Sequence, residues 1–98
     1  MGIRNFRDRA TAKLAGGLES KKSRGLLPRE LHRAVLKKLQ ILRAAKQLDD
    51  PRNFPGLKLE KLKGSRKSEY SIRINDQFRI CFRWDSGFAY DVGIEDYH

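Results

Sequence analysis

Three residues that can hold or move protons stand side by side at positions 96–98, as Asp96, Tyr97 and His98. They supply a carboxylate, a phenol and an imidazole, and the imidazole titrates closest to neutral pH. Chain ends are usually frayed, so such a cluster works only if a neighbouring element holds it in place; otherwise it is a solvated tail. Residues 88–95 have the pattern of a strand, which predicts that the three groups are delivered to a surface.

Two arginines, Arg73 and Arg79, lie in segments where apolar and polar residues alternate with period two. This pattern predicts two strands, and Asn75-Asp76 predicts the turn between them. In such a hairpin both arginines point away from the face that carries Phe78, Ile80, Phe82 and Trp84. The sequence therefore predicts that Arg73 and Arg79 share one open, exposed face of a sheet. The alternative role of arginines on such a face is solvation or salt bridging.

More charged residues reach this predicted face from the preceding strand and loop. Lys61, Lys63 and Arg66 would make it a basic, partly concave surface that contacts RNA. Glu60 has two open interpretations, a catalytic base or a simple ion-pair partner of a neighbouring lysine. Tyr97 would lie at the rim, where an aromatic ring can stack on a base.

These groups together suit RNA cleavage. A ribose 2′-hydroxyl must lose a proton and attack the adjacent phosphate, the phosphorane gains negative charge, and the leaving oxygen needs a proton. Arginines hold a phosphate in planar, two-point geometry and stabilise the developing charge. A carboxylate or imidazole can act as the base, and an imidazole or lysine as the acid.

The remaining reactive side chains indicate no second chemistry. His32 lies in a basic helical segment, where a surface or helix-packing role is expected, and Cys81 is interpreted as a small, quiet residue. Two histidines and one cysteine at distant positions give no metal-ligand spacing, so neither a metal nor a cofactor is expected.

The composition narrows the class of protein. The chain has 98 residues and a net charge of +10, which predicts one small domain spanning 1–98 that attracts polyanions, above all nucleic acid. Residues 1–50 carry 13 Lys and Arg against 5 Asp and Glu. An acidic protein partner or a merely solvated surface remains an alternative. The absence of a long apolar run and of a signal sequence, together with a single cysteine, predicts a cytoplasmic protein without membrane contact.

The predicted elements form an α+β domain. A short N-terminal strand or extended arm precedes a short helix capped by Asp8, and a polar basic linker follows at 20–25. A long helix enters at Pro28, carries its apolar stripe on Leu31, Val35, Leu39 and Leu42, and is broken at Asp49-Asp50-Pro51. A three- or four-stranded antiparallel meander completes the chain, with both helices packed on one face.

Three segments together resemble a known family. They are Leu59-Glu60-Lys61-Leu62-Lys63-Gly64, residues 70–82, and the Asp96-Tyr97-His98 ending. They are similar to the HigB toxins, the branch of the RelE/ParE superfamily also called plasmid maintenance killer proteins. The resemblance implies a RelE-like fold and a ribosome-dependent endoribonuclease that cuts translated mRNA. It also implies a HigA-like antitoxin with a helix-turn-helix domain, and operator DNA bound through the toxin–antitoxin complex.

The resemblance also implies roles for individual residues. Arg79 would contact or stabilise the scissile phosphate, and residues 96–98 would form the catalytic or orienting group. Lys63 would be a neighbouring basic contact, and Arg73 a candidate one. Glu60 stands where some relatives have a histidine, so the base is either this carboxylate or His98. Gly93 stands where a glutamate is common, which predicts a looser last strand.

The superfamily fold leaves two rival functions open. A ParE-like toxin of this fold inhibits DNA gyrase without cutting RNA, and an inactive member binds only its antitoxin and operator. The ending at 96–98 and the paired arginines favour the nuclease over both.

Overall fold

The helices and strands follow the predicted α+β order. The computed structural model describes residues 2–16, 27–50, 54–64 and 68–96. Its main elements are α1 (Arg9–Ala15), α2 (His32–Ala44), β1 (Glu60–Lys61), β2 (Glu69–Arg73), β3 (Phe78–Asp85) and β4 (Phe88–Asp96). Short 3-10 turns at Arg29–Leu31 and Pro55–Leu57 precede α2 and β1. The predicted linker at 20–25 lies outside the described residues.

The four strands form one antiparallel meander in the order β1-β2-β3-β4. The edge strand β1 is only two residues long, so the leucine alternation at 57–62 produces little sheet. The pairing of β3 with β4 shifts between Cys81 and Arg83. At this irregularity Asp91 has a left-handed φ of 51°, a backbone typical of a bulge that re-aims neighbouring side chains.

One hydrophobic core lies between the helices and the sheet. The aromatic side of β3 supplies Phe82 and Ile80, and both are fully buried. From the predicted apolar stripe, Val35, Leu39 and Leu42 of α2 are buried in this core and Leu31 packs against it partly buried, while α1 adds Leu14. Both helices therefore pack on the same side of the sheet, as the alternation in β3 predicted.

The ends of the helices have local causes. Asp8 caps α1 as predicted, because its Oδ1 accepts a hydrogen bond from the Thr11 N–H at 2.7 Å. The prediction that the long helix is broken at Asp49-Asp50-Pro51 is wrong, since α2 ends at Ala44 and Ala45 is already extended with ψ of 130°. The carboxylate of Asp50 instead accepts hydrogen bonds from the N–H groups of Lys46 and Gln47 at 2.8 and 3.0 Å. Asp50 thus stabilises a turn that has already left the helix.

An extended N-terminal arm, residues 2–8, lies along the outer edge of β4. It forms isolated parallel bridges from Ile3 to Ala89 and from Phe6 to Val92, rather than a regular strand. The N–H of Gly2 donates to the Arg43 carbonyl at 2.9 Å, which ties the arm to the end of α2. The arm therefore covers a sheet edge that would otherwise expose unpaired backbone groups. Neither helix in the described part of the chain is long and apolar enough to cross a membrane.

Candidate functional site

The side of the sheet that faces away from the helices is called here the polar face. Directly opposed residues of an antiparallel pair project to the same side, so the pairing defines its members. They are Glu60 of β1, Glu69, Ser71 and Arg73 of β2, Arg79, Cys81 and Arg83 of β3, and Gly93 and Glu95 of β4. The predicted sharing of one face by Arg73 and Arg79 is confirmed, since the two are direct cross-strand partners.

Arg79 belongs to the polar face, and its side chain is held by hydrogen bonds to Ser71 and to the Lys58 carbonyl. Its Nε donates to Ser71 Oγ at 2.6 Å, and its Nη2 donates to the Lys58 carbonyl at 2.7 Å. Only 7% of the residue is exposed. The expectation that Arg79 is an exposed surface group is therefore wrong. Cross-strand neighbours and the turn before β1 cover it, and sequence alternation alone does not report such cover.

Lys58 owes its role to its backbone. Its φ of 46° is left-handed, a conformation that costs a non-glycine residue about 1 kcal/mol. This conformation directs the carbonyl to the Arg79 guanidinium. A charge-assisted hydrogen bond of this kind is stronger than a neutral one and offsets the local cost.

Two acidic groups accompany the paired arginines. The carboxylate of Glu60 lies 4.0 Å from Arg79 Nη2, and its side chain is 56% exposed. Arg73 forms an ion pair with Asp76 in the following turn. Because like charges directly opposite each other on a sheet repel, these carboxylates make the Arg73–Arg79 pairing tolerable.

The other predicted site residues are placed differently. Lys61 pairs with Tyr70, so it projects to the helix side rather than the polar face. Lys63 is exposed beyond the end of β1. Asp96 pairs with Phe78 at the end of β4 and accepts a hydrogen bond from Gln77 Nε2 at 3.1 Å. Arg66, Tyr97 and His98 lie outside the described residues.

The prediction of a basic surface is wrong for the described residues of the polar face, because carboxylates accompany its arginines. A depression of about 560 Å³ is lined by Arg7 and Arg83 and by the carboxylates of Glu69, Asp91 and Glu95. The Asn5 side chain donates a hydrogen bond that lowers the pKa of Asp91, and the hydrogen bond and charge of Arg83 lower it further. Both described arginines of this depression therefore form ion pairs with carboxylates, Arg7 with Glu69 and Glu95 and Arg83 with Asp91. The sequence analysis missed them because they come from distant segments.

Two cations near the site were missed by the sequence analysis. Lys38 of α2 donates from Nζ to the Ile74 carbonyl at 2.7 Å, at the turn after β2. Its pKa is lowered, first by burial and then by the charge of Arg73. Arg7 of the arm forms ion pairs with both Glu69 and Glu95. Lys38 and Arg7 belong to no local sequence motif, because each side chain reaches the sheet only through tertiary packing.

The outer side of the helical layer has a different character. Arg33 and Lys37 of α2 are exposed one helical turn apart, and Arg29 is exposed in the 3-10 turn that precedes the helix; the three are called here the helical stripe. Beyond them lies a groove lined by apolar side chains, including Ile41 and Phe54. His32 does not join this stripe, because it is buried with its Nε2 3.1 Å from the Leu27 carbonyl. This agrees with the helix-packing role predicted for it.

Comparisons with known proteins bear on this fold and face. Residues 4–98 match the model of a family described as "RelE-like toxin of type II toxin-antitoxin system HigB". The chain is 38% identical over 77 residues to Toxin HigB-1 of Vibrio cholerae, covering 79% of this chain and 81% of that protein. It is 44% identical over 41 residues to Endoribonuclease HigB of Proteus vulgaris, covering 42% and 45%.

A solved structure supports the fold alone. The chain aligns with the YoeB dimer structure from Staphylococcus aureus with a TM-score of 0.57 and 20% sequence identity, covering 100% of this chain and 97% of that one. The shared architecture is the antiparallel sheet with two helices on one side.

Proposed function

As the chain belongs to the HigB family of RelE-like toxins of type II toxin–antitoxin systems, we propose that it is an endoribonuclease that cuts mRNA on the ribosome and so inhibits translation. The observation that carries the proposal is the Arg79 guanidinium on the polar face, which hydrogen bonds to Ser71 and to the Lys58 carbonyl hold in a fixed orientation. The similarity to a protein named Endoribonuclease HigB supports the same reaction class. The proposed partners are a HigA-like helix-turn-helix antitoxin and, through their complex, operator DNA. We also propose a single toxin domain over 1–98 and a cytoplasmic location.

Arg79 is the proposed stabiliser of the phosphorane. Its hydrogen bonds to Ser71 and Lys58 fix the guanidinium plane before substrate arrives, so little reorganisation is needed as charge develops. An incoming phosphate must compete with the Glu60 carboxylate, which lies 4.0 Å from the guanidinium. The exposed Glu60 side chain has the freedom to turn away and act on the 2′-hydroxyl.

The proton transfers are assigned to the residues at the ends of β1 and β4. Glu60 or His98 takes the proton of the 2′-hydroxyl as the oxygen attacks phosphorus, and an imidazolium or a lysine protonates the leaving 5′-oxygen. Asp96 and Tyr97 orient these groups. Arg73, Lys63 and Arg66 are the proposed contacts to neighbouring RNA, whereas Lys61, which projects to the helix side, is not one of them.

Dependence on the ribosome follows from how few groups the polar face offers for proton transfer. Holding the RNA in attack geometry can supply about 7–11 kcal/mol of the barrier. We propose that the ribosome provides that positioning, and that the exposed stripe of Arg29, Arg33 and Lys37 binds ribosomal RNA through its phosphates.

The test is induced expression in bacteria of the wild type beside a His98 deletion, with growth followed and one translated mRNA mapped by primer extension. Growth arrest with new cuts that vanish in the deletion supports the proposal. Arrest with intact mRNA and a DNA-damage response points to gyrase inhibition, and no arrest points to an inactive antitoxin-binding member. Purified protein should cut ribosome-bound mRNA and leave naked mRNA intact; equal cleavage of both contradicts ribosome dependence.

A further inference from the structure

The side chain of Arg7 crosses the middle of the polar face. Its backbone N–H donates to the Val92 carbonyl at 2.9 Å, which fixes the arm beside β4. A Cβ atom added to Gly93 would lie 3.1 Å from Cβ and Cδ of Arg7, a contact closer than ordinary packing allows. Gly93 therefore has a specific role here, because a side chain at this position would push the Arg7 stem away from β4.

The guanidinium of Arg7 bridges two carboxylates on different strands. Nη2 lies 2.8 Å from Glu69 Oε1 of β2, and Nη1 donates to Glu95 Oε2 of β4. Strand β3 lies between these two strands, so the guanidinium spans it at the level of Cys81. Burial lowers the pKa of Arg7, but the hydrogen bond and the charges of Glu95 and Glu69 outweigh this and raise it. Arg7 is thus a permanent cation.

The two carboxylates differ in their relation to Arg79. Glu95 is the direct cross-strand partner of Arg79 and projects to the same side of the sheet. Glu69 is instead the cross-strand partner of Arg83, four residues further along β3. At about 3.3 Å per strand residue, that position is roughly 13 Å away from the Arg79 row. Of the two carboxylates that Arg7 binds, only Glu95 therefore shares a cross-strand row with Arg79.

We infer that Arg7 is a positioning residue for Arg79, an inference that rests on the proposed function of the polar face. Arg7 holds and neutralises the Glu95 carboxylate. Without Arg7, the Glu95 carboxylate would keep its full negative charge in the same cross-strand row as Arg79, and that charge would lower the positive potential that a phosphate meets at the Arg79 guanidinium. The arm thus contributes to anion binding through Glu95, without touching the RNA.

A purely structural role for Arg7 predicts something different. If Arg7 only fastens the arm to the sheet, Glu69 and Glu95 are equivalent anchors, and removing either should have the same effect. If Arg7 acts on Arg79, only the loss of Glu95 should compensate for the loss of Arg7. The two carboxylates therefore form a matched pair for a double-mutant cycle.

The experiment measures the affinity for a fluorescein-labelled 2′-O-methyl RNA oligonucleotide by anisotropy, because this probe binds and cannot be cleaved. The variants are R7A, E95Q, E69Q, R7A/E95Q and R7A/E69Q, each checked by thermal melting. We expect R7A to weaken binding about fivefold, the effect of a partly exposed ion pair. The affinity of R7A/E95Q should lie within about twofold of the affinity of E95Q alone. The affinity of R7A/E69Q should instead be weaker than that of E69Q by the same factor, about fivefold, that separates R7A from the wild type.

The outcomes separate this inference from the proposed function. Equal compensation by E69Q and E95Q, or none by either, overturns it. If the melting temperature of R7A is too low for the binding assay, R7K replaces it in the same double-mutant cycle. R7K retains a positive charge that holds the arm on the sheet, so the expected effects are smaller. Cleavage of ribosome-bound mRNA by the wild type is assayed in parallel; if it fails while the E95Q-specific compensation holds, the nuclease is rejected and the positioning role remains.

Discussion

The helical layer and the polar face of the sheet treat positive charge in opposite ways. In the described residues 9–16 and 27–50, cations outnumber carboxylates by more than two to one, whereas carboxylates slightly outnumber cations in 54–64 and 68–96. The helical stripe presents exposed cations at regular spacing. The polar face instead holds Arg7, Arg73, Arg79 and Arg83 in pairs with Glu95, Asp76, Glu60 and Asp91.

The two regions suit different tasks: the helical layer suits attraction of a polyanion, and the polar face suits the proposed chemistry. Loosely held surface cations attract a polyanion over a distance and release it with salt. Cations fixed by carboxylates and carbonyls attract less strongly but hold a defined geometry, which is what stabilisation of a transition state requires. The excess positive charge of the described residues therefore lies in the helical layer, and it gives little information about the site where we propose that cleavage occurs.

Replacing Phe82 by alanine should remove both surfaces together, because they share one core. Phe82 is fully buried and packs against Tyr70 and Trp84 at ring-centroid distances of 6.2 and 6.5 Å. We expect a loss of about 3–5 kcal/mol in the free energy of unfolding, measured by urea denaturation. An unchanged midpoint would contradict the assignment of the aromatic side of β3 to the core.

Replacing Arg79 by alanine should affect the polar face alone. Loss of a preorganised donor costs about a hundredfold or more in cleavage rate. Because Arg79 is buried and bonded to Ser71 and Lys58, the variant should also lose about 1–3 kcal/mol of stability. Single-turnover cleavage on programmed ribosomes and a thermal melt measure the two effects. A fully active variant would show that Arg79 only supports the fold.

Neutralising the stripe with R29A, R33A and K37A should leave the polar face intact. We expect weaker ribosome binding and a slope of log K against log salt that falls by about 2–3, since each lost phosphate contact removes roughly 0.7–0.9. The rate of cleavage at saturating ribosomes should not change. A matched triple variant elsewhere on the surface, K13A, R43A and K46A, provides the control; an equal loss in both would mean that only net charge matters.

Acid should weaken the fold before it affects the stripe. The pKa of Asp50 is lowered by the Gln47 and Lys46 N–H groups, and that of Asp91 chiefly by the Asn5 amide. Because their folded pKa values lie below the unfolded ones, their stabilisation is present above pH of about 4 and is lost as pH falls through the folded values. Melting temperatures between pH 7 and pH 2.5 should fall less steeply in D91N. Identical curves for D91N and the wild type would contradict this contribution.

Local pattern explains what could be predicted from the sequence. Period-two alternation placed Arg73 and Arg79 on one face and Phe82 in the core, and the Asp8 cap was correct, because each depends on residues close together in the chain. The depth of Arg79, the left-handed Lys58 and the reach of Lys38 depend on contacts between distant segments. No short-range signal encodes them. The resemblance to HigB toxins identified the family, yet it gave no indication of Arg7, whose partners lie 62 and 88 residues away.

Pairing of the arm with β4 has a consequence for biosynthesis. Asn5 and Asp91, which exchange hydrogen bonds, are separated by 86 residues. The arm is made before its partner strand β4, and both helices and the other three strands lie between them in the chain. Contacts of such long range close late in folding. A nascent chain therefore exposes an unfinished sheet edge until β4 has been synthesised, so the arm should be the last element to gain protection in pulsed hydrogen exchange on stalled ribosomes.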